Sequence, residues 1–485
     1  MPIVVHDSLT RRRRPLATRE PGRVAMYVCG PTVYNRVHIG NARTFLWFDF
    51  IRRYLVYRGS EVTYVMNYTD VDDKIIERAR TEKTEAHVVA KKYERAFEVD
   101  LAALGVQPPD IVAKATDHIE DMVEAIERLI EKGAAYESGG DVFFSVESFP
   151  GYGMLSHRSL DDLRAERIEP SPLKRNPLDF ALWNASKADE PSWSSPWGPG
   201  RPGWHIECSV MATKYLGMGF DVHGGAADLE FPHHENEIAQ AETLAEASPF
   251  VRHWLHAGLV QMDAEKMSKS LGNFVLAGEV VERYSGEVAR LWGLSGSYRT
   301  QVTFSERSLD DAAQAYERLR NFWESASHAL GDDMPDRPGH PTRPGEDPDF
   351  GDGPGAPYLA RFTGALDDDF NSPGALAALH DLVRAGNRSL EAAQLGDRSE
   401  RSTLTALASA FAEMVAVLGF DFRGDLRTPE LTGALIGLLL ELRAEARSER
   451  AFERADAIRE RLGDLGVVIE DTPAGPRWRI IRNAG

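Results

Sequence analysis

The sequence predicts an α/β protein: a parallel-sheet domain carrying an insertion, then an α-helical bundle, then a small mixed α/β domain at the C-terminus. Three observations predict it. The chain opens strand, loop, helix, strand: Val24–Val28 is a short β-prone run, Ala42–Leu55 an apolar helical run, and Glu61–Met66 a second strand. A Pro-, Gly- and Trp-rich stretch then interrupts the pattern through Pro202. Helical periodicity fills the second half and ends in a helix followed by a hairpin.

The opening is Rossmann-like, and ligands of such sheets sit at the carboxyl ends of the strands. Cys29, the His38 loop and Thr69 fall on that edge. From 116 to 200, a helix (His118–Lys132) and a strand (Asp141–Ser145) read as an insertion between two halves of the sheet domain, 1–115 and 201–308. His256–Val260 reads as a further core strand of the second half. Leu309–Ala329, Tyr358–Leu366, Pro373–Ala393 and Ser402–Leu418 make the bundle, 309–420, with 331–357 as a Gly-, Pro- and Asp-rich linker. The last domain, 421–485, combines one long helix (Leu431–Leu462) with the strands Val467–Ile469 and Arg477–Ile481 around a Thr472–Gly475 turn. No repeat and no long heptad seam is visible, which points to a monomer.

Composition narrows the function classes. A net charge of −19 argues against a general nucleic-acid coat, since phosphate contacts need local cation density. One basic face remains possible: the tail from Asp421 has 11 Arg and no Lys against 12 acidic residues. The N-terminus is apolar first and basic second (Arg11–Arg14), the reverse of a signal peptide, and the longest apolar stretch, Leu431–Leu442, is too short and too polar to span a bilayer. A cytoplasmic protein is expected. Of 56 basic residues 45 are Arg, and the last two lysines, Lys266 and Lys269, stand three apart. A chain that avoids Lys, yet places two together, needs a compact flexible ammonium there.

Two cysteines, Cys29 and Cys208, are too few for a disulfide framework. With an imidazole and a carboxylate from Phe231-Pro232-His233-His234-Glu235-Asn236-Glu237 they would complete a zinc site. From the cysteines alone, two small buried hydrophobes is the simpler reading. His233 and Glu237 are i and i+4, so they share a helix face, whereas His234 and Glu235 are expected to point elsewhere.

Three segments then converge: His38-Ile39-Gly40-Asn41 after the first strand, Lys266-Met267-Ser268-Lys269-Ser270 after a late one, and the Cys/Cys/His/Glu set around them. With Arg201–Cys208, Asp221–Gly225, Phe231–Gln240 and Asp367–Asn371, they make the chain resemble the cysteinyl-tRNA synthetases, a class I aminoacyl-tRNA synthetase family, over nearly its whole length. The resemblance implies an ATP-dependent ligase that forms cysteinyl-adenylate and passes the cysteinyl group to the terminal ribose of tRNA(Cys). It implies one zinc held by Cys29, Cys208, His233 and Glu237, and Mg2+ entering with ATP. ATP would meet Gly30, His38, Gly40, Asn41, Lys266 and Lys269, with His38, Asn41 and the two lysines catalytic. Asn41 stands where the family's tetrapeptide ends in a second His; it keeps a donor and loses a positive charge. Thr69, Trp204, His223 and Asp228 would bind substrate, Trp204 packing over the amino acid, His223 meeting its carboxylate and Asp228 holding either its amino group or a ribose hydroxyl.

Zinc suits the discrimination required. A packed pocket separates thiol from hydroxyl only by about 10²-fold, and a borderline-soft ion prefers the thiolate. Selection at that level needs no editing domain, and the 116–200 insertion is small for one. Arg477, Trp478, Arg479 and Arg482 are candidates for anticodon contacts. Two alternatives share parts of this pattern: a mycothiol ligase, which passes cysteine to an amino sugar and lacks the terminal domain, and a non-catalytic tRNA-binding paralogue, which has no use for Lys266, Lys269 and His38. The reading requires no protein partner and no membrane.

Overall fold

The computed structural model describes residues 2–160, 162, 171–262, 265–266, 274–335, 351–394, 397–422, 429–449, 451–464, 467–472 and 475–480. The chain divides into two compact units, Met1–Phe420 and Asp421–Gly485.

Strands β1 (Val4–Asp7) and β2 (Arg12–Pro15) form an antiparallel hairpin ahead of the main sheet. Then come β3 (Arg23–Val28), helix α1 (Ile39–Tyr57) and β4 (Glu61–Tyr68). Helices α2 (Asp73–Glu82) and α3 (Ala86–Ala103) lead to β5 (Ile111–Lys114) and α4 (Ile119–Glu131). A separate antiparallel sheet follows, β6 (Ala135–Ser138), β7 (Asp141–Phe144), β8 (Phe180–Ala185) and β9 (Gly200–Pro202) in that order. After the helix Trp204–Leu216, β10 (Phe220–Ala226) and β11 (Val251–Ala257) complete the five-stranded parallel sheet, ordered β11-β10-β3-β4-β5. The chain thus leaves this sheet after β5 and returns on the far side of β3 with β10, which β11 then flanks as the edge strand. Tyr27, Val65 and Ala113, buried on neighbouring strands, show why these runs are nearly continuous in apolar residues: a parallel sheet is covered on both faces.

The expected strand His256–Val260 is two strands in two sheets. β11 ends at Ala257, and β12 (Val260–Met262) pairs instead with β13 (Glu265–Lys266) and β14 (Val302–Phe304). The break has a local cause. The Gly258 N–H donates to the Tyr298 carbonyl (2.7 Å), and the Gly258 carbonyl accepts from Arg43 (3.0 Å), so this backbone is taken out of the ladder. Arg43, itself buried, also donates to the carbonyls of Gly293 and Ser297, which fixes the start of α1 against that turn.

The helices Glu306–Leu330, Ala356–Asp367, Ser372–Gln394 and Arg398–Leu418 form the bundle, with Phe322 and Phe411 edge to face at its centre. Arg398–Leu418 is long and apolar enough to cross a membrane by composition, yet it packs against the other three. Its apolar residues are bundle core. Of the expected linker 331–357, residues 336–350 lie outside the described residues. The Asp367–Asn371 segment latches the bundle to α1, to the β1 hairpin and to the segment before β14. Asp367 accepts from Tyr54 (2.6 Å), and Asp369 accepts from the His6 N–H (2.8 Å), Tyr298 (3.0 Å) and Arg299 (2.8 Å).

A fully buried ion pair lies under α1. The Asp49 carboxylate accepts from Arg290, from Arg53 (2.8 Å) and from the Gln107 N–H (2.9 Å). Burial alone would raise the Asp49 pKa; Arg290 and Arg53 outweigh it and hold the carboxyl below its usual range. Asp49→Ala would leave Arg290 charged and enclosed, and unfolding by urea is expected to show a loss of about 3–5 kcal/mol. Because the folded pKa is depressed, this contribution is present at neutral pH and is lost as acid titrates the carboxyl. An unchanged urea midpoint would refute the structural weight given to the pair.

The second unit corrects one expectation. Leu431–Leu462 is not one helix but two, Pro429–Ser448 and Phe452–Asp464, packed on each other and followed by the antiparallel strands β15 (Val467–Thr472) and β16 (Gly475–Ile480). A single helix of that length would run about 48 Å and leave its apolar stripe bare. Folding back lets Ile436, Leu440, Leu462, Val467 and Ile469 close one small core. The backbone of Arg477–Arg479 lies in β16; nothing is described of their side chains, and Arg482 lies outside the described residues.

Candidate active site

Two cavities open at the carboxyl edge of the parallel sheet. The first, about 220 Å³, is lined by Cys29, Gly30, Asn67, Trp204, Cys208 and His233 among others. The second, about 360 Å³, is lined by His38, Gly40, Asn41, Arg36, Val260 and Phe274 among others. They share Asn41, Thr44 and Asp228, so the two sites are continuous.

The first cavity has a polar floor built from three elements. Cys29 directly follows β3, Cys208 sits in the second turn of Trp204–Leu216, and His233 and Glu237 flank the junction of a π-turn (Glu230–His234) with the helix Glu235–Ala245. All four are buried, and their donor atoms lie within 4.8 Å of one another. Cys29 Sγ is 3.6 Å from Cys208 Sγ and 3.5 Å from Glu237 Oε1, which is 3.0 Å from His233 Nε2. Donor atoms around a tetrahedral zinc stand roughly 3.3–3.8 Å apart, so the set is already near the spacing a metal needs. Its electrostatics also lack a cation. Burial pushes the Cys208 thiol up to about 11 and raises Cys29 as well. Burial, with neighbouring imidazoles, holds His233 and His234 well below the ordinary histidine range. Neutral imidazoles cannot balance a buried Glu237 carboxylate; a divalent ion can. This cluster can hold a metal.

His234 corrects the expected geometry. It does not point elsewhere: its Nε2 lies 3.4 Å from Cys29 Sγ, and with Cys29, His223 and Glu237 it forms a second compact donor set. A residue three before Glu237 also shares its helix face, and the π-turn brings both histidines inward. Glu235 does turn away, accepting from the backbone and hydroxyl of Ser156 (2.8 and 2.9 Å).

The amino-acid residues separate into two groups. Trp204, 38% exposed, stacks on His233 (ring centres 4.3 Å apart) at the cavity wall, so it is not core packing. Asp228 lines both cavities. His223 is different from the expectation: it is fully buried behind the cavity, donating to Glu237 Oε2 (2.8 Å) and stacked on Trp254, so it steadies Glu237 and is outside the lining of both cavities. Thr69 is likewise set back, its hydroxyl bonded to the buried Glu207 (2.7 Å), and Asn67 lines the cavity in its place. Sequence reasoning missed His205, which meets His233 Nδ1 at 2.9 Å and whose pKa burial lowers to about 3. It also missed His256, 2.8 Å from His234 Nδ1. Only the density of histidine beside tryptophan in 204–256 hinted at them.

In the second cavity His38 caps α1, its Nδ1 accepting from the Asn41 N–H (3.2 Å). Gly40 lies so close beneath that ring that an added Cβ would sit 3.0 Å from Nδ1. Gly30 lines the first cavity rather than the nucleotide side; a Cβ there would fall 1.7 Å from the Asn67 carbonyl. Lys266 is placed on β13 by its backbone, opposite Gln261; its side chain and the whole of Lys269 lie outside what is described.

Residues 15–314 match the tRNA synthetases class I (C) catalytic domain, 361–423 the DALR domain, and 428–479 the Cysteinyl-tRNA ligase anticodon binding domain. The chain is 45% identical to the cysteine–tRNA ligase of Brevibacillus brevis, covering 99% of this chain and 100% of that one, and 46% identical to that of Geobacter sulfurreducens at 99% and 100% coverage. The chain belongs to the cysteine–tRNA ligase family. Among solved structures, Mycobacterium tuberculosis methionyl-tRNA synthetase in complex with methionyl-adenylate aligns over 86% of this chain and 94% of that one, with a TM-score of 0.59 and 16% identity. A Campylobacter jejuni putative arginyl-tRNA synthetase aligns over 83% and 93%, with a TM-score of 0.54 and 14% identity. These two likenesses concern the fold, and the cysteine–tRNA ligase family thereby shares its parallel-sheet core with synthetases of other amino acids.

Proposed function

We propose that this chain carries out the reaction its family is named for: ATP-dependent activation of L-cysteine, then transfer to tRNA(Cys), in the cytoplasm and without a further protein partner. The observation that carries it is the continuity of the two cavities, one floored by Cys29, Cys208, His233 and Glu237, the other walled by His38, Gly40 and Asn41.

The cysteine side chain points to the polar floor, with Trp204 as a wall and Asp228 at the seam of the two cavities. The four floor residues would hold zinc, and zinc bound there supplies an affinity for thiolate over hydroxyl that packing cannot. ATP enters with Mg2+ and lies along the second cavity, its phosphates toward the N-terminus of α1, where the helix dipole favours anions. The cysteine carboxylate oxygen attacks the α-phosphorus, and the bond to the bridging oxygen breaks with its electron pair leaving on pyrophosphate. No side chain needs to accept a proton. Positioning and charge stabilisation do the work: His38 and Asn41 at the phosphates, Lys266 and Lys269 at the leaving pyrophosphate. In the second step a terminal ribose hydroxyl of tRNA attacks the carbonyl, the carbonyl carbon's bond to the phosphate oxygen breaks, and AMP leaves with the hydroxyl proton on its phosphate.

Cysteine-dependent pyrophosphate exchange and charging of tRNA with radiolabelled cysteine test the two steps together. Both are expected. Exchange without charging would redirect the transfer step to another acceptor, such as an amino sugar. Lys269→Ala is expected to slow exchange by about 100-fold, the scale of one lost transition-state contact, with tRNA affinity unchanged. An unaltered exchange rate would remove Lys269 from the chemistry.

A further inference from the structure

We propose that Lys74 is a further catalytic residue, its ammonium set where the cysteine carboxylate meets the α-phosphate. The inference rests on the adenylate-forming reading of this site. Lys74 lines both cavities and is the one Lys or Arg side chain among the described residues to do so; Arg36 lines the nucleotide side alone.

Neither helix stability nor ion pairing accounts for a lysine here. Asp72 caps α2 by accepting the Lys74 N–H (2.8 Å), and Ile75, Ile76 and Ala79 bury the inner face, so Lys74 is held in the first turn and exposed. That turn is the positive end of the helix dipole, where a cation is disfavoured. Among the described residues no carboxylate lies within ion-pair distance of its Nζ, which stands 5.6 Å from the centre of the Tyr34 ring. Tyr34 also lines both cavities, and its face holds the ammonium at the seam. An unpaired cation at an unfavourable helix position, aimed into a joint cavity, fits an anionic ligand.

The chemistry brings two anions to that seam. As the carboxylate oxygen bonds to the α-phosphorus, negative charge gathers on the non-bridging α-phosphate oxygens. The bond to pyrophosphate breaks at the same centre. Lys74 donates hydrogen bonds to those oxygens, and the step moves no proton. It also screens the repulsion between carboxylate and phosphate as they approach. This separates it from Lys266 and Lys269, which act on the departing pyrophosphate.

The test uses the full-length, zinc-loaded protein. Lys74→Met is expected to lower kcat for cysteine-dependent pyrophosphate exchange by about 100-fold, with the KM for cysteine, the zinc content and the thermal midpoint close to those of the parent. Lys74→Arg keeps the charge and is expected to recover part of the rate. Exchange by Lys74→Met at the parental rate would overturn the proposal, whether or not charging of tRNA falls. A drop in rate matched by a drop in thermal midpoint, with no recovery in Lys74→Arg, would overturn it too. Absence of exchange in the parent protein would strike the underlying reading instead.

Discussion

The Cys208→Ser protein is expected to lose the zinc proposed for the Cys29, Cys208, His233 and Glu237 site and, with it, its grip on cysteine. This is the largest effect expected of a single atom in the molecule. Cys208 Sγ lies 3.6 Å from Cys29 Sγ on the floor of the first cavity, and a serine hydroxyl there is a poor substitute for a thiolate donor. Loss of a mere supporting contact costs metal sites roughly 10–100-fold in affinity; loss of a thiolate donor costs more. The KM for cysteine is expected to rise at least as steeply, while ATP binding in the second cavity is untouched. Metal analysis of the purified variant beside pyrophosphate exchange at graded cysteine checks both. One full equivalent of zinc in Cys208→Ser would move the ion to Cys29, His223, His234 and Glu237, whose donor atoms also lie within 4.8 Å of one another. The ligand assignment would then be wrong.

Removing everything after Phe420 separates the two steps. The first unit ends at Phe420 and contains the sheet, both cavities and the bundle; the second closes its own small core around Ile436, Leu440 and Leu462. Pyrophosphate exchange by the truncated protein is therefore expected to match the full chain. Charging is expected to fall by about 100-fold or more in kcat/KM for tRNA, since each base stacked on an aromatic side chain contributes about 1–3 kcal/mol. Exchange serves as the control for folding. Equal charging by the two proteins would dismiss the terminal unit from tRNA recognition.

Much of this was legible in the chain itself. The opening strand, loop, helix, strand was readable because each element carries its own period and its own turn residues: β3, α1 and β4 begin and end within a few residues of the expected bounds. Cys29 and Cys208 stood out because cysteine is scarce here, and the i, i+4 spacing of His233 and Glu237 with the family resemblance completed the four metal-ligand candidates. Lys74 could have been noticed by the same argument that singled out Lys266 and Lys269, since lysine is rare throughout the chain.

What the sequence by itself determined is therefore local: periodicity, caps, turns and the rare residues that carry chemistry. Only the tertiary structure decided how those residues face one another. Leu431–Leu462 has an unbroken helical pattern, and it folds back on itself because a lone helix cannot bury both halves of its apolar stripe. His256–Val260 reads as one strand, and it divides at Gly258 because Arg43 and Tyr298, far off in the chain, claim that backbone. His223 and Thr69 read as substrate contacts, and they stand behind the cavity because Glu237 and Glu207 need buried hydrogen-bond donors. The last two departures have the same origin. A buried polar group is held by the partner it finds, and that partner is chosen by distance in space, which no local pattern records.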